Sequence, residues 1–212
     1  QTRSGKRTAT SAIKIAVDMV KEKLITKKEA ILRIEPSSLD ALLHPTLDEK
    51  ANIEVIGSGL PASPGAASGK VVFTSEEAER LNSMMQNTIL VRIETSPEDI
   101  HGMHAAKGIL TSRGGMTSHA AVVARGMGRP CVSGSGEIEI DYENKIFKTK
   151  NKIINEGDTI TIDGSTGRII IGEVKTVKPE ISGDFLKILN WSDEFRKLKI
   201  RTNSETPFDS KT

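Results

Sequence analysis

The segment from Arg113 to Arg129 constrains the fold of this chain more than any other. Its two glycines, Gly114–Gly115, allow a tight turn after a short apolar run. Either Thr117 or Ser118 can then N-cap a helix, because a side-chain oxygen accepts a free backbone N–H. The small apolar residues Ala120–Ala124 continue that helix and suit close packing on a sheet. Gly126 and Gly128 can end this helix, and Pro130 prevents it from resuming.

His119 falls in the first turn of this predicted helix, where unpaired N–H groups and the positive end of the helix dipole favour an anion. A neutral imidazole nitrogen is a competent nucleophile near neutral pH, because the ordinary pKa of imidazole is about 6.5. After phosphorylation the ring would carry a dianionic group that the helix start, nearby hydroxyls or Arg113 can stabilise. The alternative is a surface histidine beside an ordinary helix start, which is the commoner case when spacing alone is considered.

Residues 114–126, Gly-Gly-Met-Thr-Ser-His-Ala-Ala-Val-Val-Ala-Arg-Gly, strongly resemble the phosphohistidine signature of the pyruvate phosphate dikinase family of PEP-utilising enzymes. PEP synthase and enzyme I of the sugar phosphotransferase system are more distant relatives. Leu60–Gly65 and Glu94–Ile100 resemble the same family. The resemblance implies that His119 carries the phosphoryl group. It also implies that Thr117 is a regulatory phosphorylation position, and Thr117, Ser118 and Arg113 are candidates for stabilising the phosphate.

Strands and helices alternate between residues 70 and 130, which indicates a layered α/β domain. The predicted strands are 70–73, 88–93 and 109–111, and the predicted helices are 76–84 and about 97–106. Thr159–Ile162 and Arg168–Ile171 flank a turn sequence and predict a hairpin. The family resemblance implies a swivelling β/β/α phosphohistidine domain, preceded by a helical linker segment.

Three parts are predicted along the chain. Residues 1–56 are a helical linker from the nucleotide-binding region, and residues 57–175 are the phosphohistidine swivelling domain. Residues 176–212 are a linker towards a PEP/pyruvate-binding barrel, and the barrel itself is expected to be absent. The capping-box sequence Thr26–Glu29 predicts the start of one linker helix. The segment 57–69 is rich in glycine and proline and is predicted to be a loop that leads into a strand at Lys70. The chain starts at Gln1 and stops in a charged segment, so we expect a piece of a larger protein.

Composition excludes several classes of function. Aromatic residues make up only 3% of the chain and the net charge is +2 with dispersed basic residues, which argues against nucleic-acid binding. No apolar run approaches the roughly 18 residues that a membrane span needs. Cys131 is the single cysteine, so an intramolecular disulfide is impossible and a reducing, cytoplasmic location is expected.

His101 and His104 are three residues apart and, together with Glu98, resemble a metal-binding motif. Zincin motifs space their histidines four apart rather than three, so solvated or packing histidines are the preferred interpretation and no metal site is predicted here. The family resemblance implies Mg2+ for the full-length enzyme, bound with nucleotide and pyruvate on domains that this chain lacks.

The resemblance implies a phosphotransferase that converts ATP, phosphate and pyruvate into AMP, pyrophosphate and PEP through pyrophospho- and phosphohistidine at His119. The partners it implies are the nucleotide-binding domain and the PEP/pyruvate barrel of one longer chain, which forms a homodimer, and the isolated chain is expected to have no turnover. Two alternatives stay open: the carrier domain of a PEP synthase or enzyme I-like protein, and a non-catalytic swivelling adaptor. Met116–Ser118 disfavours the first alternative, because those relatives more often have Arg after the glycines.

Overall fold

The computed structural model describes residues 9–36, 39, 41–48, 51–177 and 183–198. Contacts group the chain into two units, one of residues 39–180 and one that joins 1–38 with 181–212. The sequence predicts a different division, at 1–56, 57–175 and 176–212, in which the two ends of the chain are separate linkers. This division stays a prediction. Residues 199–212 lie outside the described part. No helix in the described ranges combines the length and the apolar character that crossing a membrane requires.

The larger unit is built on an eight-stranded mixed sheet with the order β2-β12-β11-β4-β5-β6-β7-β3. Its strands are β2 (Val55–Ser58), β3 (Leu60–Ser63), β4 (Ala66–Val72), β5 (Thr88–Arg92), β6 (Gly108–Thr111), β7 (Cys131–Ser133), β11 (Thr159–Asp163) and β12 (Arg168–Ile171). Strands β4 to β7 are parallel neighbours, and the other pairs are antiparallel. A short antiparallel pair, β1 (Thr46–Leu47) with β13 (Thr176–Val177), joins the two ends of this unit.

The two faces of this sheet are covered by different layers. On one face, a buried cluster combines sheet residues with α3 (Ser75–Ser83), α4 (Ile100–Ala105) and α5 (His119–Gly126). On the other, a second cluster includes Phe147 and Ile154 from a small antiparallel sheet, here the accessory sheet. The accessory sheet consists of β8 (Glu139–Asp141), β9 (Ile146–Lys148) and β10 (Ile153–Asn155). The predicted α/β class with a β/β/α arrangement is therefore confirmed.

Close packing of α5 on the sheet follows from its small side chains. Ala120, Ala121 and Ala124 are buried, whereas Val122 on the opposite side is exposed. Strands β5 and β6 lie in the middle of the sheet and are buried almost throughout, as their continuous apolar runs predict. The helix and the strands beside it were therefore predictable from pattern alone.

The predicted hairpin is confirmed, because β11 pairs with β12 in antiparallel register from Ile160↔Ile171 to Asp163↔Arg168. The prediction of a loop over 57–69 is wrong in large part, since most of this segment forms β3 and parts of β2 and β4. Its glycine, alanine and serine side chains give no clear alternation of apolar and polar residues. Pro61 is tolerated because β3 is an edge strand with an irregular register at that point.

The described part of the smaller unit includes the helices α1 (Ala9–Lys21), α2 (Lys27–Leu32) and α6 (Gly183–Phe195). The capping box at the start of α2 is present in both directions, with Glu29 N–H donating to Thr26 and Thr26 N–H donating to Glu29. Buried residues on the helices share one apolar interior: Ile13, Ala16, Val17, Ala30, Phe185 and Ile188. An ion pair between Lys27 and Glu194 joins α2 to α6 at 2.7 Å.

Candidate functional site

Helix α5 begins at His119, as the sequence predicts, and the structure decides which residue caps it. Ser118 has extended backbone angles (φ −64°, ψ 160°), and its hydroxyl accepts the backbone N–H of Ala121 at 3.4 Å. Thr117 precedes the cap and is exposed. His119 therefore occupies the first helical position, beside the unpaired N–H groups of the first turn.

His119 contacts a residue that the sequence did not single out. Its ring nitrogen Nδ1 lies 2.9 Å from the hydroxyl oxygen of Thr95, and both residues are half-buried. With Nδ1 engaged by Thr95, the second ring nitrogen, Nε2, is the one available for chemistry. In the sequence, Thr95–Asp99 predicts a capped helix start with Pro97 near the first turn, and nothing in that pattern indicates a contact with His119. Ser96 does precede a short 3-10 turn, Pro97–Asp99, before α4.

Strand order explains why Thr95 and His119 meet. Strands β5 and β6 are parallel neighbours, so the segments that follow them leave the same edge of the sheet. Two backbone hydrogen bonds join these segments, from Ser112 N–H to Arg92 O at 3.1 Å and from Arg113 N–H to Ile93 O at 2.9 Å. The turn before α5 is thereby fixed against the turn that carries Thr95.

Hydroxyl groups of β6 and β7 support the turn from beneath. The Thr111 hydroxyl donates to Arg113 O at 2.7 Å, and Ser133 Oγ lies 3.1 Å from Thr111 Oγ1 and 3.3 Å from Ser118 Oγ. Thr111 and Ser133 are fully buried. The N-cap of α5 is thus held by the sheet as well as by its own helix.

Two glycines on facing turns allow this close approach. Gly114 has φ +112°, and a Cβ on it would lie 2.9 Å from Ser118 Cβ. Gly134 has φ +65°, and a Cβ there would collide with the carbonyl oxygen of Gly114. No heavy atom lies within 4 Å of a Cβ built on Gly115, so the tight packing concerns only the first glycine of the pair.

The two arginines near the site differ in what their side chains contact. Arg125 donates from Nε to Ala62 O at 2.8 Å and from Nη2 to Met116 O, and so ties α5 to β3 and to the turn. The Arg113 side chain is exposed and borders an open groove of about 460 Å³, lined also by Ile93, Ser112 and residues 136–140. Arg113 thus lies on the exposed turn before α5, whereas Arg125 is held by two backbone carbonyls.

Cys131 is a small core residue, as predicted, and is fully buried in β7. Burial raises the pKa of its thiol from 9.0 to about 12, although the nearby Arg125 charge opposes the rise. A thiol that stays protonated at neutral pH is a poor nucleophile. Cys131 is therefore not a candidate nucleophile for this site.

His101 and His104 both lie on α4 and are exposed. Within the described ranges, no group of three or more His, Cys, Asp or Glu side chains is arranged to hold a metal ion. Two exposed imidazoles on one helix do not fit a site for Mg2+, which prefers oxygen ligands.

Comparison with known proteins gives concordant matches. The family described as PEP-utilising enzyme, mobile domain, matches residues 84–167. The chain is 61% identical over 211 residues to pyruvate, phosphate dikinase of Rhizobium meliloti (strain 1021), covering 100% of this chain and 24% of that protein. It is 59% identical over 212 residues to the enzyme of Clostridium symbiosum, covering 99% and 24%. Identity to the chloroplastic pyruvate, phosphate dikinase 1 of Oryza sativa subsp. japonica is 51% over 214 residues, covering 100% and 23%.

Proposed function

The chain belongs to the PEP-utilising enzymes and carries their mobile domain, and from this premise we propose that His119 is the phosphoryl carrier of a pyruvate, phosphate dikinase. The chain spans about a quarter of the length of the relatives it matches. The reaction proposed for the whole protein converts ATP, phosphate and pyruvate into AMP, pyrophosphate and PEP. The observation that carries the proposal is the contact between His119 Nδ1 and Thr95 Oγ1 at 2.9 Å.

The proposed reaction requires one tautomer of the neutral ring, and the contact with Thr95 is compatible with that tautomer. Attack by Nε2 needs its lone pair, so the neutral ring must carry its proton on Nδ1, and Nδ1–H then donates to Thr95 Oγ1. As the bond from Nε2 to phosphorus forms, positive charge develops on the ring. The hydrogen bond to Thr95 strengthens with that charge and stabilises the transition state more than the free histidine.

The proposed reaction has three steps, and in each step one bond to phosphorus forms as another breaks. His119 Nε2 attacks the β-phosphorus of ATP, the bond from that phosphorus to the α–β bridging oxygen breaks, and AMP leaves with the electron pair. An oxygen of inorganic phosphate then attacks the outer phosphorus, and the bond from that phosphorus to the β–γ bridging oxygen breaks. Pyrophosphate is released, and the bridging oxygen stays on the phosphorus of phosphohistidine. Finally the enolate oxygen of pyruvate attacks phosphorus, the P–N bond breaks, and the ring recovers its lone pair.

Surrounding groups support the anionic intermediates. The first-turn N–H groups of α5 and the helix dipole favour negative charge beside His119. Arg113 is proposed to neutralise phosphate from the exposed turn, and Ser118 acts by holding the helix start. Thr117 is proposed as a regulatory site, since a phosphate there would repel an incoming one at the same helix start.

The remaining features of the proposal concern the whole protein. ATP and pyruvate are proposed to bind, with Mg2+, on a nucleotide-binding domain and a PEP/pyruvate barrel outside the matched quarter of the relatives. We further propose a homodimeric, cytoplasmic enzyme, a swivelling carrier bounded at about residues 57 and 175, and no turnover by this chain alone.

A labelling experiment tests the proposal. The chain is mixed with the nucleotide-binding domain of a related dikinase and ATP labelled on the β- or γ-phosphorus. We expect acid-labile β label on the chain, lost in His119→Asn and kept in His104→Asn, which removes an exposed histidine of α4. Addition of inorganic phosphate is expected to release the γ label as pyrophosphate.

Other outcomes separate the alternatives. Release of the γ label as inorganic phosphate without added phosphate would indicate a synthase-type carrier. Labelling from PEP but never from ATP would indicate a carrier of the enzyme I type. No label from either donor, on a chain whose spectrum shows it folded, would leave only the non-catalytic adaptor.

A further inference from the structure

The backbone on both sides of Thr95 is held by side chains that take no part in the chemistry proposed above. The N–H of Ile93 donates to the Tyr142 hydroxyl at 2.8 Å. The N–H of Ser96 donates to Asp99 Oδ2 at 2.9 Å. Thr95 therefore lies between two tethered backbone positions: Ile93, two residues before it, and Ser96, one residue after it.

Tyr142 comes from the accessory sheet, immediately after β8. Its ring packs edge-on against Phe73, with ring centroids 6.2 Å apart and an interplanar angle of 84°. The Arg92 guanidinium lies over the same ring, 5.4 Å from its centroid. Two contacts thus orient a side chain that is 39% exposed, and its hydroxyl is directed to one backbone N–H.

Asp99 is only 4% exposed, and both of its carboxylate oxygens are engaged. Oδ1 accepts the Ser75 hydroxyl at 3.0 Å and lies 3.3 Å from Arg92 Nη2, while Oδ2 accepts the Ser96 N–H. Arg92 also donates from Nη1 to Phe73 O at 2.9 Å. Because Arg92 contacts both Asp99 and Tyr142, the two tethers form one network.

We propose that Tyr142 and Asp99 are positioning residues that act through Thr95 on the tautomer of His119. They hold the backbone of residues 93–96 so that Thr95 Oγ1 stays within hydrogen-bonding distance of Nδ1. A hydroxyl can donate to Nδ1 or accept from Nδ1–H, and in this proposal Thr95 Oγ1 is the acceptor. The Nδ1–H tautomer is then favoured and the lone pair stays on Nε2, whereas free neutral histidine populates both tautomers. The inference rests on the proposed role of His119, and it assigns part of the nucleophile's preparation to the accessory sheet.

A purely structural role for the network makes a different prediction. Loss of one tether would then lower stability and leave the histidine ring unchanged. The tautomer of His119 separates the two roles, because it responds to the hydrogen bond at Nδ1 and not to the free energy of unfolding. The ring nitrogens report it directly through their 15N chemical shifts.

The test compares wild type, Tyr142→Phe and Thr149→Val in the chain with 15N-labelled histidine, at about pH 8 where an ordinary imidazole is neutral. Tyr142→Phe removes only the hydroxyl. Thr149→Val is the matched control, because Thr149 follows β9 in the accessory sheet and its hydroxyl contacts only that turn. His119 signals are identified by their absence in His119→Asn.

We expect the Nδ1–H tautomer in wild type and in Thr149→Val, and a mixture of tautomers in Tyr142→Phe. Labelling of His119 from ATP should slow by about two- to tenfold in Tyr142→Phe, the range for loss of one hydrogen bond. Asp99→Asn, which keeps the side-chain shape but weakens the pairing with Arg92, should change the tautomer in the same direction.

Two results would overturn the inference: an Nε2–H tautomer in the wild-type chain, or Tyr142→Phe and Asp99→Asn variants that fold and keep both the wild-type tautomer and the wild-type labelling rate. Failure of the proposed function is distinguishable. In that case neither the wild-type chain nor any variant is labelled from ATP. The tautomer measurement still reports whether the tethers act on the ring of His119.

Discussion

Thr95 Oγ1 and His119 Nδ1 lie 2.9 Å apart, although the two residues are 24 positions apart in the sequence. The contact joins the turn after β5 to the first residue of α5, and it leaves one ring nitrogen for chemistry. A histidine at a helix start is common, whereas His119 also has one ring nitrogen held by a hydroxyl group. This relationship makes His119 a better candidate than the exposed His101 and His104 of α4.

Replacing Thr95 tests the contact directly. Thr95→Val keeps the shape of the side chain and removes its hydroxyl, so we expect labelling of His119 from ATP to slow by about two- to tenfold. Thr95→Ser retains the hydroxyl and should stay within about twofold of wild type. Rapid-quench measurement of the acid-labile label gives the rates. Equal rates for Val and Ser would show that the hydroxyl has no role.

Ser118 and Thr117 can be compared as helix caps. Ser118→Ala removes the oxygen that accepts the Ala121 N–H and should lower the free energy of unfolding by about 1 kcal/mol. Thr117→Ala changes an exposed residue outside the helix and should stay within about 0.5 kcal/mol of wild type. Urea unfolding followed by circular dichroism measures both. A larger loss for Thr117→Ala would contradict the assignment of the cap.

A second stability prediction concerns the facing glycines. Gly134→Ala places a methyl group against Gly114 O at a positive φ, so we expect a loss of about 2–4 kcal/mol. Gly136 offers a control two residues away, because no heavy atom lies within 4 Å of a Cβ built there and its φ is not positive. Gly136→Ala should stay within about 0.5 kcal/mol of wild type, in the same urea experiment. Similar losses for both variants would argue against the close approach of the two turns.

Cys131 gives the stability a pH dependence with a known sign. Burial raises the pKa of the folded thiol from 9.0 to about 12, so between these values the unfolded chain releases a proton that the folded chain keeps. The contribution is fully present below pH 9 and is lost as the pH rises towards 12. The stability advantage of wild type over Cys131→Ala should narrow by about 1.4 kcal/mol per pH unit in this window.

Urea unfolding of both proteins at several pH values, from neutral into the window between 9.0 and 12, measures this difference. Lysine and tyrosine groups titrate in the same range, and comparison of the two proteins removes their common effect. A constant difference across the series would mean that the thiol ionises as readily in the folded chain as in the unfolded one.

Local elements of the fold were well predicted because their causes lie within a few residues. The capping box at Thr26–Glu29, the hairpin around Asp163–Gly167 and the start of α5 are all set by nearby side chains and backbone angles. Segments without a periodic apolar pattern were not predicted. The small residues of 57–69 form strands because neighbouring strands offer them hydrogen bonds, and β9 and β10 likewise depend on pairing within the accessory sheet.

The sequence by itself determined that a histidine begins a helix after two glycines, and the family signature around it indicated phosphoryl transfer. It left Thr117 and Ser118 as equal candidates for the cap. It did not indicate the contact of Thr95 with His119 or the contact of Tyr142 with Ile93. Only the tertiary structure decided these points. The physical reason is that the parallel pairing of β5 with β6, and the packing of the accessory sheet, bring together residues far apart in the chain. No local pattern encodes such a contact, because its free energy is realised only when the whole sheet has formed.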